Sequence, residues 1–178
     1  MLPRVLVVAS GFCAVFLSAC TSPQSEKSTS DATPPPQIQA WMDRLTVAHA
    51  YDPKTGFIVA RETVTLPPAL TQRPLDAAIA HARPDQLVIA FATADRCAPC
   101  QQFKRDALND SAVLARLAEP RFVPTHVEVD QAPDLAQRYL GTTSIPMTYA
   151  LRDGKIVAEL RGQRSAQQLL AWLDALPR

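Results

Sequence analysis

The sequence predicts an α/β sandwich: a mixed central sheet with helices on both faces. Three observations carry that expectation. From residue 57 onward, strand-length apolar segments alternate with segments of helical period in the order β-α-β-α-β-α-β-β-α, the pattern of strands joined by right-handed crossovers. Residues 87–93, LVIAFAT, form a continuous apolar run, which marks a strand covered on both faces. Asp153-Gly154 stands between two further apolar segments, a hairpin signal that adds an antiparallel pair.

The elements follow in order. Residues 38–50 place Ile38, Trp41, Met42, Leu45 and Ala48 or His49 near helical spacing. Asp52-Pro53 and Gly56 mark a turn. Residues 57–66, β-branched and partly alternating, predict a strand that Pro67-Pro68 ends. Residues 74–83 predict a short helix with Leu75, Ala78, Ile79 and Ala82 turned inward. Residues 101–118 are helical, with Phe103, Leu108, Val113, Leu114 and Leu117 as core, and Asn109-Asp110-Ser111 is a candidate break. Residues 121–130 predict a strand, and 133–140 a helix opening on Pro133. Residues 146–151 and 155–160 are the hairpin strands. Residues 165–176 form an amphipathic helix with Ser165 as its N-cap.

The first twenty residues stand outside this scheme. Arg4 precedes an apolar run from Val5 to Leu17, which is shorter than the about 20 residues of a membrane span and suits the core of a signal peptide. An N-terminal membrane anchor is the alternative. Leu17-Ser18-Ala19-Cys20 resembles the bacterial lipobox. That resemblance implies that residues 1–19 are removed and that Cys20 carries acyl chains, several of which anchor firmly where one does not. Thr21 follows, with no acidic retention residue, which favours the outer membrane. Residues 20–37 are rich in Ser, Thr, Pro and Gln. They bury too little to offset their ordering entropy and predict a disordered tether. Residues 38–66 are then an N-terminal extension of helix plus strand, and 67–178 the main domain.

Of 4 cysteines, Cys13 would leave with the signal and Cys20 would be lipidated, which leaves Cys97 and Cys100 in DRCAPCQQFK. A bridge between such close neighbours closes a tiny loop and is a poor staple, so chemistry is the stronger reading. A cysteine at a helix N-terminus meets unpaired N–H groups and the positive end of the helix dipole, both of which favour the thiolate. In Cys-x-x-Cys motifs the thiol pKa falls from about 8.5 to roughly 3.5–7.5. Cys97 is the expected attacking sulfur, and Cys100, one turn in, the resolving one. A net charge of +1 with scattered basic residues speaks against nucleic-acid binding.

With Cys97-Ala98-Pro99-Cys100 after a buried strand, VDQAPDLAQRY at 129–139 and SIPMTYALRDGKIVAELRG at 144–162, the segment 67–178 resembles the thioredoxin-fold thiol–disulfide oxidoreductases. The resemblance implies a thioredoxin-like sandwich that needs no cofactor. It implies a cis Ile145-Pro146 bond facing the disulfide, with the Ile145 backbone binding substrate as an added strand. Arg96 stands where the family commonly has Trp, and Met147 where it has Thr. The position of the family's buried relay aspartate falls on Ala90, and that of its paired lysine on His126. His126 is therefore a candidate proton relay, with Asp95, Glu128 or water as alternatives and an ordinary strand-face histidine as the plain reading.

The neutral Ala98-Pro99 pair favours a reductant, while the Arg96 cation pulls toward an oxidant. The expected partners are protein thiols or disulfides of the cell envelope, an unidentified redox donor, and the membrane through a lipid anchor on the periplasmic side. Two other classes stay open. One is the handling of a soft metal such as Cu(I) by Cys97 and Cys100, although His49, His81 and His126 show no ligand spacing. The other is a redox-silent binding module.

Overall fold

The computed structural model describes residues 33–141 and 144–177. The signal segment, Cys20 and most of the tether lie outside the described residues. A four-stranded mixed sheet holds residues 122–128, 87–93, 147–152 and 155–161 as neighbours in that order. Strand β3, Leu87–Thr93, is buried along its whole length. It pairs in parallel with β4, Phe122–Glu128, and antiparallel with β5, Met147–Arg152. Strand β5 turns through Asp153 and Gly154, both at positive φ, into the antiparallel β6, Lys155–Arg161. Two successive positive φ angles make the two-residue turn whose twist suits a hairpin, and glycine takes its place there without a Cβ penalty.

The alternation within β3 divides the core. Leu87, Ile89 and Phe91 face one layer, with Phe103, Leu108, Val113, Leu117, Leu169 and Leu173. Phe91 and Phe103 meet edge to face with centroids 6.3 Å apart. Val88, Ala90 and Ala92 face the other layer, with Leu75, Ala78, Ala136 and Leu140. Helices thus cover both faces of a mixed sheet, as the sequence predicts. The first layer comes from α4 (Ala98–Phe103), α5 (Ser111–Leu117) and α7 (Ala166–Asp174). The second comes from α3 (Leu75–His81) and α6 (Pro133–Leu135). Ser165 caps α7 in a reciprocal box with Gln168.

Several expectations are corrected or refined. The helix expected over 38–50 is only α1, Pro36–Met42, and His49–Asp52 forms a strand, β1. Its partner across the Asp52–Phe57 turn, β2, decides that conformation, so tertiary pairing overrides the helical spacing. The strand expected over 57–66 is only β2, Phe57–Ala60, and it does not enter the main sheet. Beyond Ala60 the backbone finds other partners: Arg61 N–H donates to Ala48 O, and Val64 N–H to the Gln101 side chain. Pro68 opens a short helix, α2 (Pro68–Thr71), rather than ending a strand. The helix over 101–118 breaks at the candidate Asn109-Asp110-Ser111, where Asp110 caps α5 by accepting from the Ala112 and Val113 N–H groups; what the sequence does not indicate is that α4 widens into a π-helical turn at Lys104–Leu108. Leu114, expected in the core, is only partly buried. Helix α6 likewise widens into a π-helical turn, Ala136–Leu140.

Candidate active site

Cys97 is the N-cap of α4 and Cys100 lies one turn in; the two form a disulfide with their Cα atoms 5.1 Å apart. The Cys97 sulfur accepts the Cys100 N–H at 3.2 Å, so it occupies the place of an N-cap oxygen. Cys97 is partly exposed, whereas Cys100 has no exposed surface. Pro99 needs no N–H in this first turn.

All six residues of α4 are buried, including Gln101 and Gln102. A helix in a plain sandwich would show an outer face to water; here the N-terminal segment covers it. The Gln102 side-chain oxygen accepts the Thr46 and Val47 N–H groups at 2.8 and 3.1 Å. The Gln101 oxygen accepts the Val64 N–H at 2.6 Å, while its amide nitrogen donates to Asp95 O at 2.9 Å. Leu45, Val47 and Ile58 pack on Ala98 in a third small core. Strand β2 meets the cysteine loop itself, through an antiparallel bridge between Val59 and Cys97 and an Ala60 N–H to Arg96 O bond of 2.8 Å.

The Ile145-Pro146 bond is cis. Pro146 is buried and leads into β5, where Met147 lies opposite Ala92. Ile145 and Cys97 pack against the same core layer. His126 does not join the cysteines directly. It sits on β4 with Nε2 2.7 Å from Thr93 Oγ1. Cys20 lies outside the described residues.

A cluster that the sequence reading only partly anticipated lies one turn below Cys100. Lys104, its side chain 3% exposed, reaches Asp95 at 2.8 Å and Glu128 at 3.4 Å. Asp95 N–H donates to Glu128 Oε1 at 2.6 Å, which ties the cysteine loop to β4. The hydrogen bond from Lys104 holds the Asp95 carboxyl below its ordinary range. Burial pushes Glu128 up, against the pull of Lys104. Burial, reinforced by the Lys104 charge, pushes His126 down to about 4, so near neutral pH it is uncharged and its 3.8 Å approach to Glu128 is no ion pair. A cavity of about 260 Å³ beside β4 is lined by His126 and Glu128.

Lys104 escaped the sequence reading, as did the two glutamines. The available signal was spacing: Lys104 stands four residues after Cys100, on the helix face that must look inward.

Fold and site together define a thioredoxin-like sandwich that presents two cysteines arranged for thiol–disulfide exchange. Residues 72–177 match the thioredoxin-like domain family, and the chain belongs to that family. Among solved structures it is similar to a thioredoxin from Thermus thermophilus, with 30% identity and a TM-score of 0.50, covering 60% of this chain and 85% of that one. It is also similar to a mutant thioredoxin from Halobacterium salinarum (21% identity, TM-score 0.47, covering 63% and 94%). A thioredoxin from Nicotiana alata matches at 17% identity and TM-score 0.46, covering 64% and 96%. No curated protein sequence matches the chain. Residues 33–71, which include the whole β1–β2 hairpin, fall outside the family match.

Proposed function

We propose that the chain is a thiol–disulfide oxidoreductase of the cell envelope that reduces protein disulfides. The observation that carries this reading is the placement of Cys97, partly exposed at the start of α4, over a wholly buried Cys100. In the reduced protein the Cys97 thiolate attacks one sulfur of a substrate disulfide. A bond from Cys97 forms, the substrate S–S bond breaks, and the leaving thiolate takes a proton from water. Cys100 then gives up its proton and attacks the Cys97 sulfur, and the second substrate sulfur leaves and is protonated. Two electrons and two protons reach the substrate, one proton from Cys100 and one from solvent. The Cys97–Cys100 disulfide stays behind, for a second dithiol protein to reduce. The Cys100 proton passes to solvent or to the neighbouring cluster, in which burial raises Glu128 and the Lys104 hydrogen bond lowers Asp95.

Charge supports the reducing direction. A thiolate stabilised by nearby cations makes an oxidant, because it favours the reduced form. The residues between the cysteines are neutral, the Lys104 ammonium is matched by Asp95 and Glu128, and Arg96 is exposed to screening solvent. Equilibration of the full chain with glutathione tests this. A potential near −270 mV, the approximate level of thioredoxin, supports a reductant, and one near about −120 mV overturns the direction. The lipobox-like Leu17-Ser18-Ala19-Cys20 supports a lipid anchor at Cys20, facing the periplasm and favouring the outer membrane. A Cys20→Ser variant should move from the membrane to the soluble fraction; if it stays with the membrane, the anchor lies elsewhere.

A further inference from the structure

We propose that strand β2 is a substrate-recognition wall, in which Phe57 and Val59 form an apolar shelf beside Cys97 for an apolar residue next to the cysteine of a protein substrate. This rests on the exchange reaction proposed above and assigns a role to a segment outside the family match.

Antiparallel pairing fixes the geometry. Residues opposite each other across an antiparallel bridge project to the same face, and residues two apart along a strand share that face. Val59 lies opposite Cys97, so the Val59 and Cys97 side chains share a face, and Phe57 shares it too. Ile58 projects the opposite way, and its packing with Ala98 in the small third core agrees with this assignment. Phe57 is 70% exposed, although aromatic side chains are normally withdrawn from water. The disulfide decides what covers it. A substrate segment joined to the Cys97 sulfur lies on the face that Val59 shares, which directs the residue beside its cysteine toward Phe57. Aromatic anchors of this kind carry a large share of binding energy when a partner desolvates them.

The occupant is therefore a protein segment with an apolar residue beside its cysteine. Two disulfide-bridged peptides, identical except for Leu or Asp beside the attacked cysteine, provide the test. With the full chain, kcat/KM should favour the Leu peptide by about tenfold. In Phe57→Ser that preference should fall to about onefold, and in Phe57→Leu, which restores apolar surface, most of it should return. Phe57 is exposed, so neither variant threatens the fold. A preference that survives Phe57→Ser, or is absent from the wild type, overturns the shelf while leaving the oxidoreductase reading intact. Failure of the wild type to reduce either peptide overturns both. A dimer in light scattering that Phe57→Ser dissociates would assign the patch to a second copy of the chain and likewise overturn the shelf.

Discussion

Helix α4 and its continuation carry two polar seams, and they solve the problem of buried polarity in opposite ways. On the side toward β4, Lys104 is enclosed with Asp95, Glu128 and His126, so burial there is a matter of charge. On the side toward the N-terminal segment, the side-chain oxygens of Gln101 and Gln102 accept backbone N–H groups, and Gln102 donates in turn to Asp106, so the bonds that hold the segment join neutral partners. Taking charges out of water is expensive unless they are paired, whereas a neutral amide needs only its hydrogen bonds. The charged seam must therefore respond to pH more strongly than the amide seam. The first ties the cysteine loop to the sheet; the second ties the extension to the helix that bears the cysteines.

The larger expected effect belongs to the charged seam. His126 has a pKa of about 4 in the fold against 6.5 for an ordinary histidine, so the unfolded chain takes up its proton first as pH falls. A depressed pKa contributes stability that is fully present above 6.5 and lost as pH drops through the folded value. The loss between pH 7 and pH 4 amounts to roughly 3 kcal/mol. Asp95, lowered by Lys104, adds to the loss at still lower pH, while Glu128, raised by burial, opposes it. Urea midpoints across this range, compared between wild type and His126→Gln, isolate the histidine. The variant should lack most of the decline, and parallel curves for the two proteins would sink the assignment.

The two seams also differ in how far the sequence reveals them. The main sheet is legible because β3 is apolar on both faces, the Asp153-Gly154 hairpin has its own turn chemistry, and Ser165 announces α7. Cys97 and Cys100 are legible as a pair, since their spacing carries its own physics. His126, Asp95 and Glu128 can be suspected as a set, because strand and loop positions near a known motif are countable. Their cation, Lys104, has only its spacing from Cys100 as a signal, and a lysine in a helix reads as solvent-facing until the neighbouring elements are placed. Gln101 and Gln102 are harder still. A glutamine has no periodic signature, and its partners, the N–H groups of Thr46, Val47 and Val64, lie 37 to 56 residues away in sequence. The β1–β2 hairpin is hidden for a similar reason. His49–Asp52 has no apolar alternation and becomes a strand only because Phe57–Ala60 lies against it.

The amide seam gives the smaller and more local effect. Gln102→Leu keeps much of the side-chain volume but leaves the Thr46 and Val47 N–H groups without their acceptor. An unsatisfied buried donor costs about 1–3 kcal/mol, so a loss of about 2 kcal/mol is expected, borne by the extension rather than by the sandwich. Hydrogen exchange should show faster exchange at Thr46, Val47 and the β1–β2 pairing, with β3 still protected. The loss should also change little between pH 5 and 7, because donor and acceptor of the two lost N–H bonds are both neutral. If β3 opened together with the extension, the segment before residue 67 would belong to the same cooperative unit as the sheet. The amides of Gln101 and Gln102 would then be part of the main core rather than a separable clamp on the helix that carries Cys97.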